Sequence, residues 1–288
     1  MTGRHTTTRS RQLGTELKRV REREGCSAHD LARALGWSDS KVARMENGQR
    51  GASEVAVATY LAYFRVVGPE MDRLVAMCRD VWAKDWLQPN IPDELRTLTT
   101  HETTATSIHQ YEPLLVPGLL QTEDYARAVF RAIGRFPDEG IDLRVRVRLE
   151  RQDLLRREFG IDLTFFIPEQ VLRSTVGGPR VMNDQLLHLA LITARPWCTV
   201  RVVPASFSLG FLGGPFELME YRNHGPVAYV ENQTHSLFLE TPEDIRIYRS
   251  ILQKLKDVTL DEGQSRALLA RVANEYDVPE DRDGVAEE

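Results

Sequence analysis

The side chains best suited to chemistry near the start of the chain lie in one short segment: Ser40, Lys41 and Arg44. On a helix, Lys41 and Arg44 occupy adjoining turns of one face because they are three positions apart. A guanidinium forms paired hydrogen bonds with the edge of guanine, and serine or lysine reaches a base edge or a phosphate. Taken singly, these residues are ordinary solvated side chains; as a set on one helix they predict contact with duplex DNA.

The segment around them, residues 28–47 (AHDLARALGWSDSKVARMEN), has the apolar spacing of two crossing helices joined by a turn. Ala32 is small where the helices would come closest, and Gly36 stands where the first helix must stop. This pattern is typical of a helix-turn-helix module. The positions that agree with it are Leu31, Ala32, Leu35, Gly36, Trp37, Val42 and Met45.

Polar residues complete the candidate DNA contacts of this module. Ser27 and Ser38 stand where N-caps would accept hydrogen bonds from the first free amides of the second and third helices. If Val42 and Met45 point inward, the opposite face of the third helix points to solvent. The polar residues that follow this helix suit phosphate contacts. The candidates are Ser27, Ser38, Ser40, Lys41, Arg44, Asn47, Gln49 and Arg50.

Charge divides the chain into a basic head and an acidic body. Residues 1–66 hold twelve Lys/Arg and seven Asp/Glu, a net charge of +5, so residues 67–288 carry −10 in a chain of net charge −5. A basic head favours nucleic acid, and the acidic body should not lie along the duplex. We expect a disordered basic arm (1–11), a helix-turn-helix domain (12–84), a linker (85–110), a regulatory and dimerisation domain (111–276) and an acidic tail (277–288).

Composition argues against several other classes of protein. The sequence shows no secretory signal and no apolar run of the roughly 20 residues that a membrane span needs. Cys26, Cys78 and Cys198 are far apart and odd in number, and the seven histidines lack metal-ligand spacing. Neither a disulfide framework nor a zinc site is therefore expected. These features predict a cytoplasmic protein without a metal or cofactor.

The second half mixes helical and strand-like patterns. Helices are expected near residues 123–134, 143–159, 181–194, 242–258 and 261–276. Strands are expected near 163–167, 199–203, 216–221, 227–231 and 237–240, with a hairpin turn at 223–225. The predicted fold class is α+β, an all-α head followed by a domain with a mostly antiparallel sheet flanked by helices.

The segment 111–125, YEPLLVPGLLQTEDY, resembles the hallmark of actinobacterial WhiJ-like regulators of the Xre family. Further similarity lies in RLERQ, EQVLRSTVGG, VRVVP, GGPFELMEY and VAYVEN. The resemblance implies a lambda-repressor-like head, a transcriptional regulator, and a small partner protein encoded nearby in a toxin–antitoxin-like arrangement. Relatives usually carry Gln where this chain has Ala28, which leaves His29 as a partial substitute contact with DNA.

Two sets of residues in the body are candidates for binding a partner or ligand. In segment 111–125, Gln121 and Tyr125 would be the polar contributors to a pocket, unless the segment only locks the domain. Residues 207–229 combine apolar side chains with glycines and either form an exposed docking surface or fold inward. The apolar candidates are Phe207, Leu209, Phe211, Leu212 and Phe216.

These observations predict a homodimeric, sequence-specific transcriptional regulator controlled by a small partner protein. A dimer is expected because one small module makes too few contacts for tight specific binding. A regulator controlled by a small molecule is the alternative, and an enzyme with a DNA-binding head is a remote one. We expect no catalysis, since the stretch 206–208 lacks the glycines of a nucleophile elbow and the carboxylates form no recognisable dyad.

Overall fold

The N-terminal head is a bundle of five helices around its own core. The computed structural model of the protein describes residues 6–49, 52–79, 86–89, 95–156, 161–207, 213–232 and 235–277. Side chains from all five helices meet in one apolar cluster, in which Leu17, Leu31, Val42 and Leu61 are fully buried. The helices are α1 (Thr8–Arg23), α2 (Ala28–Ala34), α3 (Asp39–Glu46), α4 (Glu54–Tyr63) and α5 (Pro69–Arg79).

The helix-turn-helix predicted from the apolar spacing is present as α2 and α3. Ala32 and Met45 are buried with the core, while Leu35 and Trp37 are half-buried at its edge. Gly36 has φ of 64°, the left-handed conformation that ends α2 without a Cβ penalty. Local sequence alone therefore accounts for this part of the fold.

The first helix begins earlier than the sequence suggested. Thr7 is its N-cap and forms a capping box with Ser10, so Thr8 to Arg11 are helical rather than part of a disordered basic arm. The rest of that expectation, residues 1–5, lies outside the described residues. Two paired hydrogen bonds at a helix start outweigh the polar, basic composition on which the arm was inferred.

Helix α1 lies unusually close to the end of α3. A Cβ on Gly14 would stand 2.4 Å from the Glu46 carbonyl oxygen, and one on Gly48 would stand 2.4 Å from the Ser10 carbonyl oxygen. Only glycine permits this approach of two backbones. The position of the third helix is therefore tied to the first half of α1.

The body is built on one seven-stranded sheet in the order β1-β7-β6-β5-β2-β3-β4. The two pairs made by β3, with β2 and with β4, are parallel, and the other four neighbouring pairs are antiparallel. The strands are β1 (Trp86–Pro89), β2 (Ser107–Tyr111), β3 (Asp162–Pro168), β4 (Cys198–Val203), β5 (Phe216–Glu220), β6 (Val227–Glu231) and β7 (His235–Leu239).

The expected α+β class is confirmed, but the sheet is mixed rather than mostly antiparallel. The hairpin-linked strands β5 to β7 are antiparallel as predicted. The parallel pairs are those of β3 with β4, which were both predicted as strands, and of β3 with β2, which was placed mostly in the linker. Parallel pairing needs a crossover, and helices supply it between β2 and β3 and again between β3 and β4.

Helices cover both faces of the sheet. Phe165 and Phe166 are adjacent in β3 and point to opposite faces, each fully buried in a separate apolar cluster. The first cluster packs mainly under α10 and α12, and the second under α11. The helices are α6 (Leu95–Thr104), α7 (Glu123–Ile133), α8 (Asp138–Arg151), α9 (Glu169–Arg173), α10 (Pro179–Ile192), α11 (Pro242–Val258) and α12 (Glu262–Glu275).

The segment expected to be a linker, residues 85–110, contributes β1, α6 and most of β2 to the body. Its prolines and threonines suggested a loop, yet β1 pairs with β7 and β2 lies between β5 and β3. The predicted acidic tail falls, from residue 278 onward, outside the described residues. In the described part of the chain, no helix has the length and apolar character to cross a bilayer.

Candidate nucleic-acid interface

Helix α3 presents its polar face to solvent. Val42 is fully buried and Met45 nearly so, which turns Ser40, Lys41 and Arg44 away from the core. We call these three residues the α3 face. Ser40 is exposed, and Lys41 and Arg44 are half-buried. The geometry therefore matches the orientation inferred from the sequence.

The two basic side chains of the α3 face are not equivalent. The Lys41 ammonium stands 3.6 Å from the centre of the Trp37 ring, a cation–π contact that holds the side chain along the protein. Among the described residues, the Arg44 guanidinium has no hydrogen-bond or ion-pair partner. Within the described part of the chain, Arg44 is thus the basic residue of the α3 face with unengaged donors, whereas Lys41 is held against Trp37.

The serine caps are in place, and their hydroxyls are already engaged. Ser27 accepts a hydrogen bond from the Asp30 amide and donates one to the Asp30 carboxylate. Ser38 accepts from the Lys41 amide at 3.2 Å and lies 3.1 Å from the Ser40 hydroxyl. Both serines are exposed, so they remain near any phosphate at the helix starts.

His29 bridges the two helices of the motif. Its Nδ1 lies 3.1 Å from both carboxylate oxygens of Asp39, and its Nε2 lies 3.0 Å from Arg33. Arginine can only donate, so Nε2 accepts and Nδ1–H donates to Asp39. This pairing engages the Asp39 carboxylate in the first turn of α3, beside the α3 face.

The polar residues after α3 lie beside the α3 face. Asn47 is the C-cap of α3 and is exposed, as is Gln49. Arg50 lies outside the described residues. The structure thus places the described candidates around α2, α3 and the turn that follows.

Beneath this surface lies an ion pair that sequence reasoning missed. Arg21 of α1 donates to both carboxylate oxygens of Glu46, the last residue of α3, at 2.7 and 2.8 Å. The Tyr60 hydroxyl of α4 stands 2.7 Å from the same carboxylate. The side chains of Arg21 and Glu46 are only 10% and 6% exposed. Three helices are therefore joined by one network under the end of α3.

The network raises the pKa values of Arg21 and Tyr60. Its hydrogen bonds with Glu46 raise the pKa of Arg21, and burial followed by the Glu46 hydrogen bond raises the pKa of Tyr60. One sequence clue was available: Arg21 follows the apolar stripe of Leu13 and Leu17 at helical spacing, which places a charge on a buried face.

The polar candidates of segment 111–125 lie inside the body. Gln121 is 2% exposed, donates to the Val116 carbonyl at 2.7 Å and accepts from Arg148 at 2.6 Å. The Tyr125 hydroxyl is fully buried and accepts from the Val116 amide. Burial lowers the pKa of Arg148 to about 10, which leaves it charged at neutral pH. These contacts fasten the irregular turn to α8.

Of the apolar candidates in residues 207–229, the structure describes Phe207 and Phe216. Phe216 is 3% exposed and packs against Tyr111 and Tyr248, so this side chain belongs to the core rather than to a docking surface. Phe207 is half-buried against the same cluster. Leu209, Phe211 and Leu212 lie outside the described residues. Phe216 is buried because helices cover both faces of the sheet, so that four successive residues of β5 are buried.

A second buried charge network lies in the body. Arg151 of α8 donates to both carboxylate oxygens of Glu102, at 2.5 and 3.0 Å, and Glu102 is 1% exposed. Glu217 of β5 lies beside this pair and is 2% exposed. Its Oε1 has no hydrogen-bond partner among the described residues. Burial, together with the nearby Glu102 charge, raises the pKa of Glu217 well above its usual range.

Replacing Glu217 with glutamine is expected to stabilise the body increasingly as pH rises. A carboxyl with a raised folded pKa contributes stability below its unfolded pKa, and that contribution is lost as pH rises through the folded pKa. Glutamine keeps the shape and does not titrate. The difference in unfolding free energy between Glu217→Gln and wild type should grow by up to about 1.4 kcal/mol per pH unit.

Urea unfolding of both proteins at about pH 5 and about pH 8 measures this difference. Glu243→Gln, at an exposed position of α11, is the matched control. A Glu217→Gln difference that does not change with pH would mean that Glu217 is ionised throughout.

Comparison with known families follows the division into head and body. A family model described as "Domain of unknown function (DUF5753)" matches residues 95–271, more than half of the chain. The chain belongs to the DUF5753 family. A helix-turn-helix domain model matches residues 12–74. This DUF5753 protein is therefore a helix-turn-helix regulator of the Xre type, and its family domain begins at α6, within the segment first taken as a linker.

Solved structures and curated sequences add little. The chain is similar to TrmBL2, described as an archaeal chromatin protein with a novel mode of DNA binding, at 8% identity and a TM-score of 0.31. The match covers 66% of this chain and 60% of that protein, less than two thirds of its length. A similarity at this level carries no argument about fold or function. No curated protein sequence matches this chain.

Proposed function

We propose that this DUF5753 protein is a homodimeric transcriptional regulator that binds a specific duplex through α3, with Arg44 as its main base contact. The observation that carries the proposal is the α3 face: a basic, solvent-facing surface on a helix whose far end is held by a buried ion pair. Rigid support under exposed donors is what base contact requires. The net charge of +5 over residues 1–66 supports the same assignment.

Arg44→Ala is expected to weaken binding at one base pair by about 1–3 kcal/mol and to relax specificity there, because its guanidinium would pair with a guanine edge. A duplex selected from a randomised pool, and a scrambled duplex of equal length, are titrated by fluorescence anisotropy. Lys18→Ala removes a charge from the exposed surface of α1 and serves as the control. Equal losses on both duplexes would make Arg44 a phosphate contact, and failure to select any duplex would refute the proposed function.

The dimer is proposed because one head offers few base contacts. Two symmetric heads should bind half-sites about 34 Å apart, or a multiple of that distance. The body, with the acidic charge, is the proposed dimerisation domain. Sedimentation of the full chain at micromolar concentration measures the assembly, and a strict monomer with undiminished specific binding would contradict it.

A small protein is proposed as the signal, in the WhiJ-like, toxin–antitoxin-like arrangement that the sequence resemblance implies for a cytoplasmic regulator. Leu187 and Leu191 lie one turn apart on α10 and are 44% and 74% exposed, an apolar pair that suits a protein partner. A cleft of about 500 Å³ beside α8 is lined mainly by charged side chains, whereas one of about 320 Å³ near Gly177 has a mixed charged and apolar lining. The lining of the cleft beside α8 differs from the mainly apolar pockets that bind small molecules.

A further inference from the structure

Residues at the start of α1 form hydrogen bonds with residues of the body that are far away in sequence. The Glu240 carboxylate, just after β7, accepts a hydrogen bond from the Thr8 amide at 2.7 Å and one from Arg11 at 2.6 Å. Gln12 donates to the Thr97 hydroxyl of α6 at 2.6 Å. We call this set, Thr8, Arg11 and Gln12 with Thr97 and Glu240, the α1–body contact.

The α1–body contact combines a shielded ion pair with two buried polar atoms that lack a hydrogen-bond partner among the described residues. Glu240 places a negative charge on the free amides of a helix N-terminus and pairs with Arg11, both favourable and both largely shielded from water. The side chains of Arg11 and Glu240 are 12% and 14% exposed. Arg11 Nε and Gln12 Oε1 are buried without a hydrogen-bond partner among the described residues. Unsatisfied groups make opening less costly than for a fully paired interface.

The same turn of α1 touches the end of the DNA-facing helix. Gly48, which directly follows the α3 C-cap, packs against the Ser10 carbonyl, and Gly14 packs against the Glu46 carbonyl. Because neither site has room for a Cβ, a tilt of α1 must move the end of α3. The α1–body contact thus acts on α3 through one rigid helix.

Helix α6 connects the α1–body contact with the buried charges of the body. Thr97 and His101 are one turn apart on α6, and the next residue, Glu102, forms the buried pair with Arg151. The His101 ring stands 2.9 Å from the Tyr221 hydroxyl, and burial together with the Arg11 charge holds the pKa of His101 well below its usual range. The helix that touches the head therefore also touches the body's buried charge network.

While the α1–body contact is closed, the α3 face remains open. Ser38 and Ser40 are exposed, and within the described residues neither Lys41 nor Arg44 forms a hydrogen bond or an ion pair with the body. The closed contact therefore holds the head without covering the surface proposed to bind DNA.

We infer that the α1–body contact is a regulatory joint: Glu240 holds the head in the DNA-binding orientation, and opening it weakens DNA binding. This inference rests on the proposed function. If the head is released from the body, only a fraction of its orientations fits the duplex, and the apparent affinity for DNA falls by that fraction. Glu240 touches no DNA in this scheme and acts as a positioning residue through α1. A signal that displaces α6 would release the head.

Glu240→Gln tests the inference in the full-length protein. It removes the charge from Arg11 and the helix N-terminus, and the exposed Glu243→Gln, three residues away, is the matched control. We expect amide hydrogen exchange at residues 7–12 to rise about tenfold without DNA, and affinity for the selected duplex to fall about tenfold. Thr97→Val removes the α6 side of the contact and should produce the same two effects more weakly. Combining Arg11→Gln with Glu240→Gln should add little to either single change.

The outcomes separate the inference from the proposed function. Faster exchange at residues 7–12 with unchanged DNA affinity, in Glu240→Gln and in Thr97→Val, would overturn the joint while leaving DNA binding intact. Unchanged exchange in both variants would show that the contact does not hold α1, and overturns it too. If the wild-type protein binds no duplex, the proposed function fails and the inference fails with it, whatever the exchange rates. Unfolding midpoints of all variants distinguish release of the head from general loss of structure.

Discussion

Arg21→Ala is expected to lower the free energy of unfolding of the head by about 3–5 kcal/mol, the usual cost of leaving one buried charge without its partner. Among the residues that the structure describes, Glu46 would keep only the Tyr60 hydroxyl, in a site where its side chain is 6% exposed. Since Glu46 ends α3, the same change should reduce DNA binding even at temperatures where the head remains folded. Urea unfolding followed by circular dichroism measures the first effect, and anisotropy with the selected duplex measures the second.

The control for this prediction lies two residues away. Arg19 is 47% exposed and pairs with Glu16 on the surface of α1, so Arg19→Ala should cost at most about 1 kcal/mol. Replacing both partners, with Arg21→Met and Glu46→Leu, should recover much of the stability, because neither charge is then buried alone. Equal effects of Arg21→Ala and Arg19→Ala would mean that water reaches the Arg21–Glu46 pair.

Arg151→Ala is expected to destabilise the body by a similar amount, about 3–5 kcal/mol, because it strands Glu102 beside the buried Glu217. Two carboxyls would then share a site 1–2% exposed with no nearby cation from Arg151. Thermal and urea unfolding should show the loss in the body transition, which need not coincide with that of the head.

Arg146→Ala on the exposed side of the same helix is the control and should change stability by no more than about 0.5 kcal/mol. The double variant Arg151→Ala, Glu102→Gln should be more stable than Arg151→Ala alone, since it removes the unpaired charge. If adding Glu102→Gln stabilises nothing, the loss in Arg151→Ala comes from packing rather than from charge.

In both buried ion pairs the partners are far apart in sequence, and for this reason sequence analysis did not predict them. Arg21 and Glu46 are 25 residues apart, and Arg151 and Glu102 are 49 apart. On its own helix each arginine has acidic neighbours, which suggests an ordinary charged surface. The partner of a charged side chain depends on which elements cross, and that information is not contained in local spacing.

What the sequence determined by itself is the part of the structure governed by local rules. The spacing of Leu31, Val42 and Met45, the left-handed Gly36 and the serine caps predicted α2 and α3 correctly, because helix periodicity and capping act over a few residues. The strands β5 to β7 were predicted from short strand-like runs and a hairpin turn at 223–225, which are local signals too. The orientation of the α3 face needed only the knowledge of which side is buried.

Tertiary structure alone decided the features that depend on distant contacts. Strand β2 directly follows a threonine-rich stretch that suggested a loop, and it becomes a central strand only because β3 and β5 flank it. Phe216 is buried because α11 covers its face of the sheet, and Arg11 meets Glu240, 229 residues later, because β7 ends beside α1. The physical reason is the same in each case. Buried polar groups and charges find their partners on other elements, and which elements lie close together depends on the packing of the whole chain.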